Sequence, residues 1–225
     1  MHPEFRAAFN AAYTDELASN YARDLVRRAH CEPGFRLAET PVFLTDDLAR
    51  ALIGGARAIV AQLSNPETLV RMKQAIPERW NAPGMDALPS FAQVDFAVVK
   101  DADGRLVPRL IELQGFPSLS AFEVMQSDAW SEALEHVSGL PKIRWSPYFS
   151  GLTRETFLDL FRRTVVGDAD PEEVVLLDLA PEEQKTAIDF CATRELLGVD
   201  AVDPRSLVKE GRRLFRMKEG RRVPV

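Results

Sequence analysis

The run Gln93-Val94-Asp95-Phe96-Ala97-Val98-Val99-Lys100, the link Asp101-Ala102-Asp103-Gly104 and the run Val107-Pro108-Arg109-Leu110-Ile111-Glu112-Leu113-Gln114 decide how this chain is to be read. Two segments rich in Val, Leu, Ile and Phe flank an Asp-Gly pair, a strong short-range signal for a type I′ hairpin turn. With Asp103 and Gly104 at the centre of the turn, Ala102 faces Arg105, and the residue numbers of every cross-strand pair sum to 207. A four-residue loop from Ala102 to Arg105 gives the same register. Asp95 then stands opposite Glu112, and Gln93 opposite Gln114. Because side chains alternate along a strand, Gln93, Asp95, Glu112 and Gln114 share one face. Val94, Phe96, Val98, Ile111 and Leu113 fall on the other and read as core.

Like charges directly opposite on a sheet are destabilising. At about 5 Å and an effective dielectric constant of about 20, the repulsion is roughly 3 kcal/mol. A proton shared between the acids, a nearby Arg or Lys, or a bound divalent cation would offset it. Magnesium prefers carboxylate and carbonyl oxygens, and often binds one or two carboxylates together with substrate phosphates. The set Asp95, Glu112 and Gln114 suits that chemistry. An exposed hairpin end with both acids in ordinary salt bridges fits the same pattern.

The segment Leu110-Ile111-Glu112-Leu113-Gln114-Gly115-Phe116-Pro117-Ser118, preceded by a strand with an Asp, resembles the circularly permuted ATP-grasp ligases. The nearest likeness is the synthetase domain of glutathionylspermidine synthase. A second block resembles the strand–helix–strand unit before the ATP-grasp core of those proteins. It runs from Val174-Val175-Leu176-Leu177-Asp178-Leu179 through Pro181-Glu182-Glu183-Gln184-Lys185-Thr186 to Leu197-Gly198-Val199-Asp200-Ala201-Val202-Asp203-Pro204. The resemblance implies that Asp95, Glu112 and Gln114 ligate the magnesium of ATP. It places Gln93 where the family has an Arg that stabilises an acyl-phosphate, and Ser118 on the substrate side. Mg2+ and ATP are the implied cofactors, with a small-molecule carboxylate and an amine as substrates. In such enzymes ATP phosphorylates the carboxylate and the amine displaces the phosphate. The family continues past a segment like Glu219–Val225 into lysine-bearing strands that hold the nucleotide. The chain is therefore expected to be the N-terminal part of such a ligase, inactive alone. The alternative is a standalone, non-enzymatic α/β binding or interaction module.

With 225 residues and 46% apolar content, the chain is long enough for one or two domains with a sizeable core. A net charge of −6 and an isoelectric point near 5.2 argue against a nucleic-acid partner, which normally demands a basic face. No apolar run approaches a membrane span, and the N-terminus lacks the pattern of a signal peptide. Cys31 and Cys191 are few and far apart in sequence, so reduced thiols and a cytoplasmic location are expected.

Phe5, Phe9, Tyr13, Leu17, Tyr21 and Leu25 recur every four residues, predicting one or two amphipathic helices over 5–28 with an aromatic core stripe. Thr45 before Asp46-Asp47 caps a helix to about Leu63, with Gly54-Gly55 inside it for close packing. Asn65-Pro66-Glu67 starts another, ending near Ala75. The stretch from Asn81 to Pro89 is rich in turn residues. Ser118 is a candidate N-cap for a helix to about His136, whose positive end would favour an anion beside the acidic face. Thr153 caps a helix to about Thr164. A βαβ unit spans Glu173 to Asp203 and implies parallel pairing. The tail alternates strands with turns at Gly211 and Gly220. Its Lys209, Arg212, Arg213, Arg216, Lys218, Arg221 and Arg222 read as a solvated hairpin or a phosphate-facing cluster. Self-association is expected at this tail through an unpaired edge. The fold class is thus α/β with α+β elements: a helical N-terminal region with the acidic hairpin (1–150) and a Rossmann-like, pre-ATP-grasp βαβ unit (151–225).

Overall fold

The computed structural model describes residues 2–82, 84, 89–115 and 118–225. Parts of the turn-rich stretch from Asn81 to Pro89 and of the loop after Gln114 lie outside them. The chain is mixed α+β and forms two compact units. One comprises residues 1–6 and 42–118; the other comprises 7–41 and 119–225. The boundary expected near residue 150 is not one of these breaks, because residues 119–150 group with the C-terminal elements.

In the first unit, Thr45 accepts the Leu48 N–H and starts α3 (Asp46–Leu63). Asn65 accepts the Glu67 N–H and starts α4 (Pro66–Gln74). Both caps satisfy N–H groups that a helix start leaves free. The hairpin of β1 (Gln93–Lys100) and β2 (Leu106–Gln114) packs against α3 through β2. A Cβ placed on Gly55 would lie 3.3 Å from the Phe96 ring, so Gly55 does serve close packing, whereas Gly54 meets nothing within 4 Å.

The second unit is built on three helices. The aromatic stripe divides between α1 (Pro3–Ala12), in which the chain passes from the first unit to the second, and α2 (Asp15–Ala29), capped by Thr14. Phe9, Tyr21 and Leu25 are buried. Tyr21 stacks on Trp130 at 4.0 Å between ring centroids and accepts a hydrogen bond from the Gln126 amide. Trp130 lies on α5 (Ser120–Glu135), which packs on α2 and on α7 (Ala187–Leu197). Thr153 starts α6 (Arg154–Val165) with a reciprocal capping box.

Helix α7 joins β3 (Val175–Leu177) to β4 (Asp200–Val202), which pair in parallel, Val175 with Asp200 and Leu177 with Val202. A βαβ unit is therefore present where the apolar runs of 174–179 and 197–202 placed it. Asp203, just past β4, accepts the Ala180 N–H and so ties the exits of the two strands together. Three antiparallel strands follow: β5 (Val208–Glu210), β6 (Arg213–Lys218) and β7 (Arg221–Pro224), with β6 in the middle.

Of the tail's seven basic residues, Lys209, Arg212 and Arg213 are exposed, as a solvated hairpin requires, whereas Arg216, Lys218, Arg221 and Arg222 are paired with acids. Arg216 is only 4% exposed and donates to Asp200 at 2.9 Å. Lys218 pairs with Asp200 and Glu172, and Arg221 pairs with Glu172. Arg222 pairs with Glu210 and lies 3.9 Å over the Phe215 ring. The positive charge of β6 and β7 thus meets acids at β4 and just before β3, fastening the meander to the βαβ unit. Among the described residues, no helix is long and apolar enough to cross a membrane.

Candidate functional site

The turn of the hairpin differs from the expected one. Asp101 donates its N–H to the Arg105 carbonyl, and its own carbonyl accepts the Gly104 N–H at 3.0 Å. The loop therefore has three residues, Ala102, Asp103 and Gly104. The Asp101 carboxylate fixes it by accepting the N–H groups of Asp103 and Arg105. A type I turn results, followed by Gly104 in the left-handed region at φ +78°, where glycine meets no Cβ penalty. An odd loop shifts the register by one: Lys100 pairs with Leu106, Val98 with Pro108 and Phe96 with Leu110.

Continued unchanged, that register would set Glu112 opposite Val94 on the apolar face and Leu113 among the polar side chains. The ladder corrects itself with an irregularity between Asp95 and Phe96, opposite which Ile111 is the extra residue. Beyond it Asp95 pairs with Glu112, Val94 with Leu113 and Gln93 with Gln114. A bulge of this kind is how an antiparallel pair absorbs one residue without turning the remainder of the strand over. Ile111, expected in the core, is instead 64% exposed, and Val98 and Leu113, expected there as well, are also exposed.

Gln93, Asp95, Glu112 and Gln114 hence occupy one face of the sheet, the arrangement expected from sequence, reached by two compensating shifts. Asp95 and Gln93 are half-buried, while Glu112 is exposed. Each acid accepts an amide N–H from its own strand: Gln93 Nε2 donates to Asp95 at 3.2 Å, and Gln114 Nε2 donates to Glu112 at 2.7 Å. These bonds offset part of the repulsion between the carboxylates.

Sequence reasoning missed Arg109. The uniform register would set it opposite Val98 on the apolar face, whereas it pairs with Ala97, two positions along β1 from Asp95. The acidic face therefore carries a guanidinium as well. The sequence signal was available in Asp101, whose side chain can organise a three-residue loop ending in Gly104.

Ser118 does not cap a helix. The N-cap of α5 is Leu119, in the left-handed region at φ 58°, and its side chain makes no capping bond. The free N–H groups of Ala121 and Phe122 point to one oxygen of Asp189, at 3.0 and 2.8 Å. The anion at this helix start is thus the protein's own α7 carboxylate, not a substrate phosphate. Burial raises the affinity of Asp189 for its proton, and the backbone donors at Phe122, Ala121 and Leu119 offset that only in part.

Among the described residues, no group of three or more His, Cys, Asp and Glu side chains is placed to hold a metal ion. The Asp95–Glu112 pair has two acids, so an amide must complete any protein ligand set. Comparison with protein-family models, with curated proteins and with solved structures gives no match.

Proposed function

We propose that the acidic face of the β1–β2 hairpin engages a magnesium ion bound to ATP, as one part of a carboxylate–amine ligase of the ATP-grasp kind. The observation that carries the reading is the bulge at Ile111, which returns Glu112 to a position opposite Asp95 after the odd loop has displaced it. Asp95 and Glu112 would supply two hard oxygen ligands. A half-turn of the Gln114 amide, which now donates to Glu112, would present its carbonyl oxygen beside them. Two carboxylates and an amide leave room for phosphate oxygens, the pattern in which magnesium usually serves nucleotide chemistry. When bound, the ion neutralises phosphate charge as it develops during transfer. Arg109 and the Gln93 amide stand on the same face. Arg109 is in this reading the cation that faces the acyl-phosphate, in place of the Arg that the resemblance expects at position 93.

A binding or interaction module without catalysis is the second reading. It is supported by the same two amide bonds, which satisfy both acids internally. Manganese separates the two. In NMR spectra of the full chain, millimolar Mn2+ is expected to broaden the side-chain amide signals of Gln93 and Gln114 and the backbone signals of Asp95 and Glu112. Glu112→Gln and Asp95→Asn should each abolish that local broadening. Broadening spread evenly over the surface acids, unchanged by these substitutions, would rule out the metal reading and leave the module.

A further inference from the structure

Cys31 and Cys191 lie 160 positions apart in sequence, yet the fold brings them together. Cys31 stands just beyond the end of α2, and Cys191 is on α7, which packs against α2. The approach of the two segments is close. A Cβ on Gly34 would lie 2.5 Å from the Lys185 carbonyl oxygen, so the loop after α2 rests directly on the backbone leading into α7. Both cysteines are free and half-buried; the Cys31 thiol donates to the Glu32 carbonyl at 3.6 Å and lies close enough to Cys191 for the two to influence each other's proton. Cys191 also lines an open cavity of about 170 Å³ with Pro181, Phe190, Arg194 and Asp200.

We propose that Cys31 and Cys191 form a reversible dithiol–disulfide pair, entered through Cys191 by a small disulfide such as oxidised glutathione. The Cys191 thiolate attacks one sulfur of the reagent, forming a mixed disulfide and releasing one glutathione thiolate. Cys31 then loses its proton to solvent and attacks the Cys191 sulfur, releasing the second glutathione and closing the intrachain bond. The protein loses two hydrogens and two electrons, and the reagent is reduced to two thiols. The order of attack follows from the surroundings. Cys191 opens on the cavity, which admits a small disulfide; Glu182 and Asp200 line it with Arg194, itself paired with Glu195, so access rather than charge makes Cys191 the entry point. Burial and the neighbouring Cys191 push the Cys31 thiol up to about 11, so Cys31 holds its proton and resolves second. The bond would tie the end of α2 to α7 within the second unit.

The test uses the full chain, oxidised and reduced glutathione in varied ratio, acid quench, alkylation and intact mass. The expected product is a monomer lighter by two hydrogens, closed to alkylation, with a cross-linked peptide joining residues 31 and 191. Its unfolding midpoint should exceed that of the reduced protein, and dithiothreitol should restore the original mass. Cys31→Ser should stop at a single glutathione adduct on Cys191, while Cys191→Ser should react at least tenfold more slowly. Cys→Ala variants provide a second pair should serine disturb packing. A wild-type protein that carries two glutathiones, forms only interchain dimers, or keeps both thiols open to alkylation in oxidised buffer would overturn the proposal.

Discussion

Replacing Asp189 by Ala would remove the side chain that receives the Ala121 and Phe122 N–H groups at the start of α5. Asp189 is 4% exposed, so solvent does not readily take its place. Each buried N–H left without an acceptor costs about 1–3 kcal/mol, and loss of an N-terminal cap costs about 1 kcal/mol in ordinary settings. A loss of about 2–4 kcal/mol is therefore expected for Asp189→Ala. Asp189→Asn separates the hydrogen bonds from the charge, because the amide oxygen still accepts both N–H groups. The sign of the pH effect follows from the raised proton affinity of the folded state. Below the ordinary aspartate range, the acid is neutral whether folded or unfolded, and its contribution is fully present. As pH rises through the elevated folded value, the unfolded chain has already ionised more readily and the contribution falls. The Asn variant lacks that decline and should equal or exceed the wild type at neutral pH. Urea unfolding followed by Trp130 fluorescence reads this region, since Trp130 is 8% exposed while Trp80 and Trp145 are largely open. Exchange of the Ala121 and Phe122 amides reports on the bonds directly. An Ala variant within about 0.5 kcal/mol of the wild type, or an Asn variant as damaged as Ala, would refute the reasoning.

Arg216→Met should destabilise the second unit by about 2–3 kcal/mol in urea, less than the 3–5 kcal/mol of a fully buried broken pair, because Asp200 keeps Lys218. No change in midpoint would mean that the pair does not fasten β6 to β4. Gly34→Ala should lower the thermal midpoint, with a cost of about 1–3 kcal/mol, since the added carbon meets the Lys185 backbone, which has no rotamer to yield. An unchanged melting curve would count against that close approach. Deleting Ile111 should be tolerated: Glu112 then occupies the position opposite Asp95 by regular pairing with Phe96–Leu110, and cross-strand contacts between the α-protons of residues 95 and 112 should persist. Loss of those contacts would show that the bulge does more than absorb one residue.

Local chemistry was legible in the sequence and long-range pairing was not. Thr45, Asn65 and Thr153 announce their helices because each cap acts within three residues of itself. The βαβ unit was readable because two short apolar runs flank a helical segment, although the strands themselves are at most half-buried. The hairpin shows where such reading ends. Its acid–acid pairing followed from hydrophobic alternation, but the loop length depended on the Asp101 side chain, and the error it introduced was cancelled by a bulge that no propensity marks. Ser118 read as a cap because its type suits one; the acceptor that α5 uses stands 68 residues beyond Ala121, at Asp189.

The tail's arginines and lysines show what composition alone conceals. Seven basic residues in a short stretch suggest an anion-binding surface when only the stretch is considered. Their function depends on where the acids are. Asp200 and Glu172 belong to elements of another period and face, and only the packing of β6 and β7 beside the βαβ unit brings the two signs together. In the tail, four of the seven basic residues are engaged by acids in this way. The same reasoning applies to the acidic hairpin, where among the described residues Asp95 and Glu112 accept from the Gln93 and Gln114 amides. The Arg109 position shares that face, so a metal ion bound there, as proposed, would meet a guanidinium as well as two carboxylates and would depend on phosphate oxygens for the rest of its ligands.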